Sequence, residues 1–446
     1  MIPISSDRMR STIARGGCWR NSLIRSIPAI VLVLASMQIA GCIAGGGGAS
    51  NLVFSPDGTR IAFLREDSLQ ELAVDGKKWF RTITLHWCST SEPAKESSVH
   101  IDTLGAEYRG YIHVGTEVKW SPNGSRIGVW TPYKLTIVET SSGKKIEIRD
   151  GTICSFAWSS DGQVVYCTRR TKSNMQRRVI CRVDLDTQQK TEIVAFPERP
   201  AGGSPRRENW SPSGRFVIFM EPDVGGQYHC VDVFDGTVRS FGQKDAYDVG
   251  VAWAPDSSSA FCVSNKVGPE DMFEALLLDP VTGTTVDCTA GFQDTFADHA
   301  PSLVPLWTVD GKYVLVNALH INGHLVQPDP WQVVPLGQML ASRFTPPTKW
   351  STINPRLFRL PVPGWVGVVP TGNYGDSPVQ YATDYSGQRL MPLLKDYPSA
   401  ISPDGTTAAT IGKDGRIMIH KLGKWWLPPA KPVSSMPGLP PASATK

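Results

Sequence analysis

Five residues in the second half of the chain have side chains that could together hold a metal ion. Asp294, Asp298 and His299 are close in sequence, and His320 and His324 follow in the next polar segment. A carboxylate with two or three imidazoles is a donor set for zinc or another divalent ion. Nothing in the spacing forces these side chains to converge. The simpler expectation is therefore a protein without cofactors, and one divalent metal ion is the alternative.

A second group of side chains is strongly cationic and could bind an anionic partner. It comprises Arg169, Arg170, Lys172, Arg177 and Arg178. Such a cluster suits lipid phosphate, an acidic polysaccharide or the acidic face of a protein. The alternative is a solvated hairpin whose charges limit aggregation. Glu221 and Asp223 on one neighbouring loop, and Glu270 and Asp271 on the next, would make this face dipolar, which favours protein recognition over polyanion binding.

The cysteines after residue 42 allow disulfides but do not form a zinc motif. They are Cys88, Cys154, Cys167, Cys181, Cys230, Cys262 and Cys288. An odd number leaves at least one cysteine unpaired within the chain. Cys167 and Cys181 are expected in adjacent strands, where an oxidising compartment would permit a disulfide. Two buried thiols are the alternative.

A repeated turn shows how these residues must be positioned. The segment Phe54-Ser55-Pro56-Asp57-Gly58 is followed by alternating apolar residues, and related segments recur along the chain. The repeats begin at Phe54, Trp120, Trp158, Trp210, Trp253, Trp307 and Ile401. Their spacings are 66, 38, 52, 43, 54 and 94 residues, so the last interval is about twice the others.

The residue types of this turn predict a tight hairpin. Pro presets φ at the second position, Asp or Asn suits the third, and Gly allows the positive φ of a type I turn with a bulge. The aromatic residue ends one strand and the apolar alternation begins the next. A unit of about 47 residues with four short strands is typical of a propeller blade.

The aromatic-Ser-Pro-Asp-Gly turn resembles the WD40-like repeat of TolB-type β-propellers, over residues 51 to about 424. The resemblance implies an all-β propeller of four-stranded blades. The long last interval predicts a degenerate extra blade, which makes eight blades, with seven as the alternative. We expect the strands of that blade near Leu357–Leu360, Trp365–Val369, Val379–Thr383 and Arg389–Leu393.

The N-terminus predicts an export signal that ends at a lipidated cysteine. Arginines precede an apolar run from Ile27 that is too short to span a bilayer. The run ends at Ile39, Ala40, Gly41 and Cys42, which resembles the lipobox of bacterial lipoproteins. That resemblance implies acyl chains on Cys42, and Ile43 after it favours the outer membrane, facing the periplasm. An ordinary secretory signal that ends in Cys is the alternative.

Charge excludes one class of partner. The chain carries a net +4, but residues 1–41 hold five arginines and one acid, so residues from Cys42 onward hold 40 cations and 40 acids. A balanced mature chain has no overall field to bind nucleic acid. The remaining partners are the membrane, through the lipid, and an envelope protein or cell-wall component.

The predicted organisation has four parts. Residues 1–41 are the signal peptide, 42–50 the lipidated Cys and Gly-rich tether, 51–424 the propeller, and 425–446 a Pro-rich tail predicted to be disordered. Trp425 and Trp426 either cap the last blade or form a docking point. The chain contains neither a Gly-x-Ser-x-Gly elbow nor a zinc-protease helix motif. We therefore expect a non-catalytic binding platform, with a metal-dependent lactonase, lyase or glycan-active propeller enzyme as the alternative.

The anchor is tested by Cys42→Ala. Because the acyl chains would hold the protein on the membrane, the variant is expected in the soluble periplasmic fraction after export. Fractionation of envelopes followed by immunoblotting measures this, with Cys88→Ala as the matched control that stays in the membrane fraction. Membrane retention of the Cys42→Ala protein would contradict the lipoprotein interpretation.

Overall fold

Strands make up most of the computed structural model. It describes residues 49–73, 76–104, 116–131, 134–149, 152–170, 177–197, 209–220, 226–266, 273–296, 305–318, 321–336, 339, 354–371, 380–394, 400–412 and 416–423. The signal, lipobox, most of the tether, and residues 424–446 lie outside this set. No helix within these ranges is long and apolar enough to cross a membrane.

The strands form eight blades, as predicted. Blade 1 contains β1 (Ala49–Phe54), β2 (Arg60–Ala73), β3 (Gly76–Ser89) and β4 (Ser97–Leu104). Blade 2 contains β5 (Glu117–Trp120), β6 (Arg126–Thr131), β7 (Lys134–Glu139) and β8 (Lys145–Ile148). Blade 3 contains β9 (Thr152–Trp158), β10 (Val164–Arg170), β11 (Arg177–Asp184) and β12 (Lys190–Pro197).

Blades 4 and 5 share one long strand. Blade 4 contains β13 (Asn209–Trp210), β14 (Phe216–Met220), β15 (Gly226–Asp232) and the first part of β16 (Val238–Trp253). Blade 5 contains the second part of β16, β17 (Ala260–Lys266), β18 (Phe273–Leu278) and β19 (Thr285–Asp287). One strand therefore runs from the outer edge of blade 4 to the inner edge of blade 5, with a register shift and a positive φ of 78° at Gly242.

The last three blades complete the ring. Blade 6 contains β20 (Leu306–Trp307), β21 (Val314–Ala318), β22 (Ile321–Pro328) and β23 (Trp331–Val334). Blade 7 contains β24 (Asn354–Arg359), β25 (Trp365–Thr371), β26 (Gln380–Asp384) and β27 (Leu390–Leu394). Blade 8 contains, within the described residues, β28 (Ala400–Ile401), β29 (Thr407–Ile411) and β30 (Ile417–Lys421). Blade 7 is the degenerate blade that the 94-residue interval predicted.

The repeated turn has the predicted geometry. In blade 1 the Gly58 N–H donates to the Ser55 carbonyl at 2.9 Å, and Gly58 has a φ of 71°. The Ser55 hydroxyl donates to Asp57 Oδ1 at 2.5 Å, and this hydrogen bond lowers the pKa of Asp57 below its usual 3.8. The turn thus fixes where the first strand ends and the second begins.

The tryptophan before five of the turns joins one blade to the preceding one. Trp120 Nε1 donates to the Val53 carbonyl at 3.2 Å, and Trp253 Nε1 donates to the Asn209 carbonyl at 3.0 Å. Equivalent indole bonds run from Trp158 to Lys119, from Trp210 to the Ser155 hydroxyl, and from Trp307 to Ala252. Five consecutive blade junctions therefore use an indole hydrogen bond.

Neighbouring turns also contact each other directly. Arg60 donates to the Gly124 carbonyl at 2.8 Å, which joins the turns of blades 1 and 2. In blade 5 the glycine position is occupied by Ser257, with a φ of 65°, and the Ser213 N–H donates to its hydroxyl at 3.0 Å. A serine in the left-handed region is uncommon, and here its hydroxyl bonds the turn of blade 4.

Blade 8 packs on blade 1 and closes the ring. Pro403 in the last turn lies 3.5 Å from the position that a Cβ on Gly58 would occupy. One apolar cluster spans both blades; its buried members are Leu52, Ile61, Phe63 and Ala409, and its partly buried members are Phe54, Ala400, Ile411, Ile417 and Ile419. Closure therefore rests on side-chain packing, and β1 belongs to blade 1 alone.

A short helix that the sequence analysis did not predict lies between blades 5 and 6. Asp294, one of the predicted metal ligands, belongs to this helix, α1 (Thr289–Phe296). Phe292 and Phe296 are fully buried and their rings lie 4.7 Å apart, because residues four apart share one face of a helix. This apolar pair holds α1 against blades 5 and 6.

Two glycines with the same backbone angle test the importance of turn packing. A Cβ on Gly214 (φ 71°) would lie 2.1 Å from the Trp158 carbonyl oxygen, whereas a Cβ on Gly143 (φ 70°) would contact nothing within 4 Å. Gly143→Ala is expected to cost about 1 kcal/mol for the positive φ, and Gly214→Ala about 3 kcal/mol because it adds a clash with the neighbouring blade. Urea unfolding measures both. Equal losses would show that inter-blade turn contact is unimportant.

Candidate binding surface

Exposed apolar side chains concentrate on the outer hairpins of blades 4 and 5. Among the described residues, seven large apolar side chains are exposed: Phe234, Val238, Val281, Val286, Leu306, Met339 and Met418. The first four lie in or beside the β15–β16 and β18–β19 hairpins. We call these four residues the hairpin patch. Soluble monomers seldom leave such groups together without a use.

The blade 4 hairpin holds Phe234 out of the core through a buried aspartate that pairs with the partly exposed Arg215. Asp232 is 1% exposed, and its Oδ2 accepts hydrogen bonds from Arg215 Nε at 2.9 Å and Nη2 at 2.7 Å. Its Oδ1 accepts from the Phe234 N–H at 3.0 Å. Gly236, with a φ of 75°, closes the turn by donating to the Asp232 carbonyl. The Phe234 side chain is consequently 65% exposed.

The Phe234 ring is nevertheless supported from two sides. The Arg215 guanidinium carbon lies 5.4 Å from the ring centroid, a cation–π distance. The ring of Tyr166 in blade 3 lies 6.4 Å away. An aromatic ring that is oriented yet mostly exposed can contact a partner at a small cost in side-chain entropy.

The blade 5 hairpin presents Val281 in the same way. Asp279 Oδ1 accepts from the Val281 N–H at 2.8 Å, and the Gly283 N–H donates to the Asp279 carbonyl at 2.9 Å. A Cβ on Gly283 would lie 2.7 Å from Arg239 Cδ of blade 4. Direct contact between the two hairpins therefore makes the patch span both blades.

A groove adjoins the patch between blades 5 and 6. Its volume is about 280 Å³, and it is lined by Leu277, Trp307, Gly311, Lys312, Tyr313, Gln327, Pro328 and Asp329. Leu277 lies directly opposite Val286 of the patch in the β18–β19 ladder. Lys312 and Asp329 are both exposed, so the groove carries one charge of each sign.

The hairpin patch was not predicted from the sequence, although a signal for it exists. The third and fourth strands of several blades are joined by an Asp or Glu followed four residues later by a positive-φ Gly, as in Asp232 with Gly236 and Asp279 with Gly283. Apolar residues stand inside two of these turns, where polar residues are usual. A search for this second repeat would have identified Phe234 and Val281.

The predicted cationic residues converge only in part. Arg169 and Arg170 end β10, Arg177 and Arg178 begin β11, and Arg170 lies directly opposite Arg178 in the ladder. This end of the hairpin is opposite to the repeated turns. Lys172 lies outside the described residues.

The predicted metal ligands are mostly not described. His324 lies in β22, and its ring packs edge-on against Phe296 with centroids 5.3 Å apart. Asp298, His299 and His320 lie outside the described residues, as do Ile39, Ala40, Gly41 and Cys42. Among the residues that the structure does describe, no three His, Cys, Asp or Glu side chains are grouped so that they could hold a metal ion.

Comparisons with known proteins support the fold. No family model matches the sequence, and no curated protein matches it. The Dos1 propeller is similar in structure, with 12% identity and a TM-score of 0.53 over 85% of this chain and 93% of that one. A eukaryotic initiation factor is similar at 12% identity and a TM-score of 0.50 over 78% and 79%. TolB from Acinetobacter baumannii also matches, at 14% identity and a TM-score of 0.32 over 75% and 80%.

This chain is a β-propeller. At these identities, however, the similar structures establish only the fold, because propellers with unrelated functions share it. What this propeller binds must be argued from its own surface.

Two aspartates in one turn test how Phe234 is held. Asp232→Asn weakens the ion pair between the buried carboxylate and Arg215, and we expect a loss of about 2 kcal/mol in unfolding free energy. Asp235→Asn, three residues later and exposed, is the matched control and is expected to change stability little. Thermal and urea unfolding of both variants measure this. If both variants lost the same stability, the ion pair would not be what supports the hairpin.

Proposed function

We propose that this protein is a non-catalytic binding platform in the bacterial cell envelope, anchored by lipid on Cys42. Its partner is an envelope protein or a cell-wall component, and it binds at the hairpin patch. The observation that carries this proposal is the concentration of four exposed apolar side chains on two adjacent hairpins beside a groove.

The composition of the patch suits a protein partner better than a polysaccharide. Phe234 projects from an ordered turn, and the valines extend the apolar surface onto the next blade. Protein interfaces commonly centre on an aromatic side chain surrounded by a polar rim. Arg215, Asp235 and Thr282 supply such a rim around the patch.

The charge balance of the mature chain is consistent with this type of recognition. Residues from Cys42 onward carry equal numbers of cations and acids. Long-range attraction therefore contributes little to association, and affinity must come from local shape and apolar contact. A lipid anchor would raise the local concentration of platform and partner at one membrane, which compensates for a modest intrinsic affinity.

The patch is tested by a double variant, Phe234→Ser with Val281→Ser. Both side chains are more than half exposed, so the change should leave the fold intact and remove the partner. The tagged full-length protein is crosslinked in intact envelopes, purified, and its crosslinked proteins are quantified by mass spectrometry. We expect at least a tenfold loss of a partner that the wild type recovers.

Met418→Ser is the matched control, because Met418 is 40% exposed but lies on blade 8. It should retain the partner. A parallel sedimentation assay with purified peptidoglycan sacculi tests the cell-wall partner with the same variants. The proposal would be contradicted if the wild type is purified and the double variant loses neither a crosslinked protein nor binding to the sacculi.

A further inference from the structure

Two buried cysteines face each other across one ladder of blade 3. In the register of β10 and β11, Cys167 lies directly opposite Cys181, within a run of seven uninterrupted pairs from Val164 to Arg170. Directly opposite residues in an antiparallel pair have Cα atoms about 4.5 or 5.5 Å apart, and both distances fall in the range that disulfides use. Their side chains also lie on the same side of the sheet.

This arrangement distinguishes the pair from the other described cysteines. Cys88 lies opposite Ile61, Cys230 opposite Ile218 and Arg239, and Cys262 opposite Val251 and Leu276. Cys288 follows the last strand of blade 5. Among the residues that the structure describes, only Cys167 and Cys181 are cross-strand neighbours.

We propose that Cys167 and Cys181 form a cross-strand disulfide that staples the hairpin carrying the cationic cluster. The structure shows both as thiols, 1% and 2% exposed, inside one apolar cluster. Neither is accessible to a redox reagent from the folded surface. The bond therefore forms while blade 3 is assembling and is sealed when the neighbouring blades cover it.

The hairpin that such a bond would hold carries the predicted cationic residues. In the backbone register Arg170 lies directly opposite Arg178, three residues beyond each cysteine. A covalent link between Cys167 and Cys181 would keep β10 and β11 paired close to these positions.

The reaction consumes an oxidant of the disulfide class. The thiolate of one cysteine attacks oxidised glutathione and releases one reduced glutathione, leaving a mixed disulfide on the protein. The thiolate of the second cysteine attacks the sulfur of the first cysteine in this mixed disulfide. The protein disulfide forms, and a second reduced glutathione leaves. The protein loses two thiol hydrogens and two electrons, and the glutathione disulfide gains them.

The inference rests on the proposed envelope location only for the compartment in which the protein meets the oxidant. The test therefore examines the disulfide separately from the location. Full-length protein is denatured, reduced, and refolded in a mixture of oxidised and reduced glutathione. After acid quenching, thiols are alkylated in denaturant and mapped by mass spectrometry of peptides. We expect one peptide pair that links Cys167 to Cys181. Alkylation of both residues in the refolded protein would overturn the proposal.

A stability measurement provides the second readout. Because the link closes a short loop, reductant should lower the Tm of the oxidised protein by about 3 °C. Cys167→Ala and Cys181→Ala should each lose this response to reductant, whereas Cys88→Ala, another buried cysteine, should keep it. An equal response in all variants would contradict the pairing.

The same peptide mapping of protein exported to the periplasm tests the location. A linked pair there supports both ideas. A linked pair after refolding in glutathione, but free thiols in the cellular protein, supports the disulfide and counts against the proposed envelope location.

Discussion

Indole hydrogen bonds at five consecutive blade junctions are the interaction on which much of the structure depends. A single four-stranded sheet has two apolar faces and cannot bury either alone, so each blade needs a neighbour on both sides. From blade 1 to blade 6, a buried or partly buried tryptophan ring and one directed bond join each blade to the preceding one, and each bond contributes about 1 kcal/mol. The turns beside these tryptophans fix the orientation of the rings. The residues of the turn therefore also determine how neighbouring blades stack.

The hairpin patch follows from this arrangement. Stacking leaves the outer hairpins of consecutive blades in contact, as the approach of Gly283 to Arg239 shows. Apolar residues placed in two adjacent hairpins are then presented by neighbouring turns. The ion pair between the buried Asp232 carboxylate and the partly exposed Arg215 keeps Phe234 on that surface. In a propeller with equal numbers of cations and acids, the choice of binding partner therefore depends on a few hairpin residues, while the fold that carries them is common to many propellers.

The sequence predicted the blades well because their signal is local and repeated. A serine, a proline and a positive-φ glycine occur together within a few residues in four of the seven repeated turns, and the doubled interval revealed blade 7 even without its motif. Features that depend on tertiary contact were missed. Ser257 takes a glycine conformation because the turn of blade 4 bonds its hydroxyl, and α1 forms because Phe292 and Phe296 find a buried site between two blades. The signal for the patch residues is a second, weaker repeat, an acidic residue followed four residues later by a positive-φ glycine, which the prediction from sequence did not use.

Ring closure between blades 8 and 1 joins the two ends of the described chain through a shared apolar cluster. Hydrogen exchange with mass spectrometry tests it directly. If the ring is closed, amides of β1 and β29 exchange as slowly as those of β6 and β7 in blade 2, because all open only on global unfolding. Exchange of β1 and β29 that is orders of magnitude faster, with blade 2 still protected, would show that the ring opens at this junction and would contradict the account.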